Sequence, residues 1–96
     1  MTIDNCEVDV IVDYKNGIKV YLKNNELDTS FTVLSECLHY DLDFGKIVSD
    51  ELKFQMQFSS DRFKSLTDET KEKIFNYVYR AVNEHNKIMN KKKEED

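Results

Sequence analysis

DYKNGIK, residues 13–19, is the stretch that decides the fold, because the length of its loop sets which flanking side chains share a face. Upstream, Val8, Val10, Val12 and Tyr14 alternate with Glu7, Asp9, Ile11 and Asp13; downstream, Ile18, Val20 and Leu22 alternate with Lys19, Tyr21 and Lys23. A two-residue Asn16-Gly17 loop sets Val12 opposite Tyr21 and Tyr14 opposite Lys19, which divides the apolar set between two faces. A three-residue Lys15-Asn16-Gly17 loop instead pairs Tyr14 with Ile18, Val12 with Val20 and Val10 with Leu22, and puts Gly17 where such a turn needs positive φ. The pattern predicts this bulged hairpin, with Asp9, Asp13, Lys19, Lys23 and Tyr21 facing outward.

Working outward, Leu27, Phe31, Leu34 and Leu38 fall at helical spacing, but Thr29, Thr32 and Val33 are poor helix formers, and the reading is a strand over residues 30–36. Leu38, Tyr40, Leu42 and Phe44 then alternate with His39, Asp41 and Asp43. In ELKFQMQF, residues 51–58, Leu52, Phe54, Met56 and Phe58 alternate with Lys53, Gln55 and Gln57. These two runs predict a second hairpin turning over residues 45–51, half-buried and antiparallel because each run carries one polar face.

The C-terminal third reads as a helix. Thr67 is placed to cap it, with Asp68 and Glu69 in the first turn against the helix dipole, and Ser65 competes as the cap. Ile74, Tyr77, Val78, Ala81, His85 and Ile88 form one apolar stripe, and Phe75, Tyr79, Val82 and Met89 widen it to about 200°, where docking on a sheet needs about 100°. The excess calls for a cover, from this chain or from a partner. The expected fold is α+β: a small antiparallel sheet or partly open barrel of four to five strands, packed by one long C-terminal helix. It occupies one domain over residues 1–90, followed by a charged, disordered tail over 91–96.

Composition narrows the function. The 96 residues include two cysteines, Cys6 and Cys37, and no stretch reads as a signal peptide or a transmembrane run. The expected setting is a reducing cytosol, without a Cys6–Cys37 disulfide. The net charge of −5 is uneven: residues 26–51 hold seven acids against Lys46 alone. No basic stripe exists for phosphates, so neither direct nucleic-acid binding nor membrane binding is expected.

FKSLTDETKEKIFNYV, residues 63–78, resembles the closing element of PilZ domains, with Phe63, Leu66, Ile74 and Tyr77 at the matching positions. VIVDYKNGIKVYL, residues 10–22, is similar to the PilZ strand, turn and strand, with Asp13 and Gly17 in the matching roles. The turn is one residue shorter than the family's, lacks its serine, and has no arginine motif before it; the only arginines are Arg62 and Arg80. The resemblance covers about half the chain. It implies a small antiparallel barrel with a packing helix and loss of cyclic diguanylate binding.

No catalytic set emerges. His39 and His85 stand in no triad context, and two isolated glycines cannot cradle a phosphate. Cys37, His39, Asp41 and Asp43 alternate but mix soft and hard ligand types, and read as a polar face rather than a metal site. His85 reads as a packed imidazole in the helix stripe. Tyr14, Tyr40, Tyr77 and Tyr79 read as core and rim, and Tyr21 as an outward exception beside Lys19 and Lys23. Neither a cofactor nor an enzymatic activity is expected.

The expected function is regulation or inhibition by protein binding. Phe75, Tyr79 and Val82 would anchor another protein or a second copy of the chain. The alternative is an acidic inhibitor of the kind phages use, with Asp41, Asp43 and Asp50 filling the basic groove of a nucleic-acid enzyme in place of phosphates. A PilZ-like cyclic-dinucleotide module is the further alternative that the resemblance carries.

Overall fold

The computed structural model describes residues 1–13, 17–33, 43–58 and 61–95, with side chains through residue 85. It opens on two non-glycine residues at positive φ, Asp4 at 48° and Asn5 at 67°. Successive positive φ values make the two-residue mirror-image turn whose twist suits antiparallel strands. It joins β1 (Thr2–Ile3) to β2 (Cys6–Asp13), and Ile3 pairs with Cys6. β3 (Gly17–Lys23) and β4 (Asp28–Val33) follow, giving an open antiparallel sheet in the order β1-β2-β3-β4.

The β2–β3 hairpin keeps the predicted faces but not the predicted pairs. Val8 meets Leu22, Val10 meets Val20, Val12 meets Ile18, and Asp13 meets Gly17. Three residues, 14–16, lie between the last pair, and Tyr14, expected opposite Ile18, lies outside the described residues. Each pair is displaced by two positions from expectation. An even displacement leaves every side chain on its own face. Val8, Ile18, Val20 and Leu22 are accordingly buried, while Asp9, Lys19, Tyr21 and Lys23 are exposed and Asp13 half-buried. Gly17 has the positive φ expected of it, 111°.

Asn24 organises the next turn. Its Oδ1 accepts the backbone N–H groups of Glu26 at 2.8 Å and Leu27 at 2.7 Å, and its Nδ2 donates to Ser65 Oγ at 3.2 Å. Ser65 is thereby committed elsewhere, and Thr67 is the cap of α2 (Asp68–Glu95). Thr70 N–H donates to Thr67 Oγ1 at 3.1 Å, and Lys71 N–H to the Thr67 carbonyl at 2.9 Å.

The second hairpin is corrected: Phe44–Phe58 is a helix, α1. Asp43 caps it, its Oδ1 accepting Lys46 N–H at 3.1 Å. Phe44, Val48, Leu52 and Met56, spaced every fourth residue, form its buried stripe together with Gly45 and Ser49. The upstream half of the expected hairpin, residues 38–42, lies outside the described residues, as do 34–36 of the strand read over 30–36; residues 30–33 belong to β4. Among the described residues the sheet has four strands and no fifth.

α1 also explains the wide apolar arc of α2, which packs against both the sheet and α1. The two helices run antiparallel: Gly45 N–H donates to Asn83 Oδ1 at 2.9 Å near one end, and Lys53 Nζ lies 5.3 Å from the Phe75 ring centre near the other. At about 1.5 Å per residue α2 is roughly 42 Å long, close to the molecule's longest dimension of 45 Å. It continues to Glu95 through the stretch read as a tail from residue 91. The reason is local: lysine and glutamate are good helix formers, and neither glycine nor proline interrupts them.

Candidate functional site

The residues expected to bind a partner occupy very different environments. Phe75 and Val82 are core, 8% and 1% exposed, while Tyr79 remains 39% exposed. Tyr79 is engaged within the chain, its hydroxyl donating to Asp43 Oδ2 at 3.0 Å. Asp50 is exposed on α1, Asp41 lies outside the described residues, and Tyr21 stands on the outer sheet face with Lys19 Nζ 5.9 Å from its ring centre. Of the alternating Cys37, His39, Asp41 and Asp43, only Asp43 is described, and it serves as a helix cap. His85 is half-buried on α2. Cys6 is a buried free thiol whose pKa is pushed up, chiefly by desolvation.

The structure gathers an exposed apolar surface that the strand reading had turned inward. Phe54 and Phe58 are 53% and 78% exposed, with ring centres 4.7 Å apart and planes tilted by 54°. Being four residues apart on one helix they must stack along its surface. At about 100° per residue, Asp50, Phe54, Ile47, Phe58 and Glu51 fall within an arc of roughly 100°, on the side away from Leu52. Ile47 is half-buried at the margin of the core. The helix lysines, Lys46 and Lys53, fall outside that arc, and Lys53 bends over Phe75.

Asp43, which precedes the helix, turns its carboxylate toward α2, where the Tyr79 hydroxyl donates to it. The Lys46 backbone N–H, and after it the Tyr79 hydroxyl and the Asn83 side chain, hold its carboxyl below the ordinary aspartate value against partial desolvation. The surface on the outer side of α1 is two adjacent phenyl rings and the edge of an isoleucine, beside the exposed side chains of Asp50 and Glu51, with Lys46 one turn before Asp50. Such a surface can dock and orient a partner.

The signal for Phe54 and Phe58 was present in the spacing. Ile47, Phe54 and Phe58 recur at helical intervals on one side, while Phe44, Val48, Leu52 and Met56 do so on another, and one helix against one sheet cannot bury both. Among the described residues no group of three or more histidine, cysteine, aspartate or glutamate side chains is arranged to hold a metal ion, and no helix is long and apolar enough to cross a membrane. The chain matches no protein-family model, no curated protein and no solved structure.

Proposed function

We propose that this chain is a non-catalytic regulator or inhibitor that acts by binding another protein through the outer face of α1. The observation that supports this reading is the exposed Phe54–Phe58 pair. Burying a phenylalanine side chain is worth about 1.5–3 kcal/mol, and a partner that covers both rings recovers it. Aromatic side chains on a rigid helix are strong interface anchors because they bring large area at small entropic cost. Phe75 and Val82 serve this reading from beneath, by holding α1 against α2, and Tyr79 serves it by fixing the Asp43 end.

The test is affinity capture from cells of the source organism with the native chain and with the double substitution Phe54→Ser, Phe58→Ser. Thermal unfolding checks that both are folded. A protein retained by the native chain and lost with the double variant is the expected result; an unchanged set of captured proteins would reject the reading.

A second reading, occupation of a basic nucleic-acid groove by carboxylates, draws support from one relation. Asp43 and Asp50 are both exposed carboxylates, one at the start of α1 and one seven residues along it. In this case Asp43→Asn with Asp50→Asn abolishes inhibition of a nucleic-acid enzyme, whereas the phenylalanine variant retains it.

A further inference from the structure

We infer that the partner docking beside α1 adds an extended segment to the sheet, pairing with the free edge of β4. The inference rests on the reading of α1 as a docking surface and names what docks there. It is carried by main-chain groups. Val8 N–H donates to the Met1 carbonyl and the Met1 ammonium to the Val8 carbonyl, so Val8 turns its main chain toward β1. That direction alternates along every strand. Carried through the register of β2, β3 and β4, it leaves Asp28, Ser30 and Thr32 with their N–H and C=O groups turned outward. All three residues are exposed, and these groups have no partner among the described residues.

β4 carries none of the usual guards. Open edges are commonly blunted by lysine, proline or a bulge. β4 has no lysine or proline, pairs with β3 without a bulge from Asp28 to Val33, and holds one charge, Asp28, at its start. The exposed rings lie on the same flank. α2 packs on β1 and β2, and α1 on β4. At about 100° per residue, Ile47, Phe54 and Phe58 lie about 160° round α1 from Gly45 and Lys53, which meet α2. They therefore look out past β4. A cavity of about 30 Å³, lined in part by Thr29, Phe31, Leu52, Gln55 and Phe63, sets the level: the middle of β4 lies against the second half of α1.

The edge and the rings call for one kind of occupant. Outward N–H and C=O groups at every second residue, about 6.8 Å apart, are matched by the backbone of an extended chain. A strand added about 4.8 Å beyond β4 has one face toward α1 and one toward water. Side chains on the first face are apolar, to cover Phe54 and Phe58, and a methyl-sized tip can enter the cavity. Those on the second are polar, as Asp28, Ser30 and Thr32 are on β4.

The test uses the full chain and short capped peptides in which valine and threonine alternate between terminal lysines. Amide chemical shifts locate binding and titration gives affinity. The parent peptide is expected to move amides of residues 28–33 and 47–58. An added strand pairs through one edge only, so N-methylation of one alternate set of its amides should weaken binding at least about tenfold, and of the other set less than about threefold. Serine in place of valine, Phe54→Ser with Phe58→Ser, and Ser30→Pro should each weaken it at least about tenfold, proline being tolerated where an edge N–H faces water. Thermal unfolding checks the variants, and the methylated peptides decide if Ser30→Pro does not fold. Equal effects of the two methylated sets, with shifts still within residues 47–58, would overturn strand addition and leave the docking face standing. One-sided dependence on methylation with unchanged affinity in the phenylalanine variant would overturn the docking face and this inference with it. Absence of binding by the parent peptide would overturn strand addition, while affinity capture judges the docking face separately. A doubled mass in light scattering that Ser30→Pro abolishes would place a second copy at the edge and overturn the inference as well.

Discussion

Tyr79 donates its phenolic hydrogen to the Asp43 carboxylate across 3.0 Å, so that two residues which the sequence assigns to separate candidate surfaces are partners in one latch. Asp43 also caps α1 through Lys46 N–H, and Asn83, one turn beyond Tyr79, accepts Gly45 N–H at 2.9 Å. The start of α1 is thereby tied to the middle of α2.

Asp43→Ala is expected to destabilise the fold by about 1 kcal/mol, the usual worth of an N-cap, while Asp43→Asn retains most of that. Tyr79→Phe should cost less than about 1 kcal/mol, since its hydrogen bond is exposed. Urea unfolding measures all three. Because Asp43 has its pKa lowered on folding, chiefly by Lys46 N–H, its contribution is full above the unfolded carboxylate value of about 3.9 and is lost as pH falls through the folded one. A native-like midpoint for Asp43→Ala would remove the cap from this account.

Gly45 is required by close approach rather than by backbone conformation. A Cβ there would strike the Tyr79 carbonyl oxygen and lie 2.6 Å from Asn83 Oδ1. Gly45→Ala should gain about 0.5–1 kcal/mol in helix propensity but lose about 1–3 kcal/mol to overpacking. A net loss near 1 kcal/mol is expected in thermal or urea unfolding; a stabilised variant would show that the helices can separate without cost.

Leu52 and Phe58 distinguish a helix from a strand in one experiment. On an alternating strand they share a face; on α1 Leu52 is 1% exposed and Phe58 78%. Leu52→Ala should cost about 2–5 kcal/mol, whereas Phe58→Ala should fall within about 0.5 kcal/mol of native. Comparable losses at both positions would argue for the strand.

Asp4 closes the molecule at the opposite edge. Its carboxylate accepts Thr70 Oγ1 at 2.9 Å and Lys73 Nζ at 3.1 Å, and its pKa is lowered first by the threonine hydroxyl and then by the lysine. Thr70→Val and Lys73→Met should each return the Asp4 titration toward the ordinary aspartate range, followed by carboxyl chemical shifts. The stability tied to Asp4 is present above that range and lost as pH falls through the folded value. The Lys73 pKa is raised, mainly by Asp4, so its share is full below the unfolded lysine value and lost as pH rises through the folded one. An Asp4 titration insensitive to Thr70→Val would show that the lysine alone holds it.

What the sequence determined by itself is what local chemistry can specify. Thr67 or Ser65 ahead of Asp68 and Glu69 located the start of α2 to within two residues, and alternation in β2 and β3 assigned each side chain to its face. Alternation has a period of two, so it defines faces and leaves register open by even steps; the pairing of Val12 with Ile18 instead of Val20 is such a step. The Asp4-Asn5 turn, both residues at positive φ, joins β2 to a β1 of only two residues, which is too short for alternation to mark. Over residues 52–58 the spacing admits both strand and helix, and the tertiary structure decided between them. Leu52 and Met56 satisfy both periods, and Ile47, Val48 and Phe54 have no strong local preference for a helix. The choice fell to long-range packing: α2 carries more apolar surface than the sheet can cover, and a helix that turns Phe44, Val48, Leu52 and Met56 to one side buries it, at the cost of leaving Phe54 and Phe58 in water.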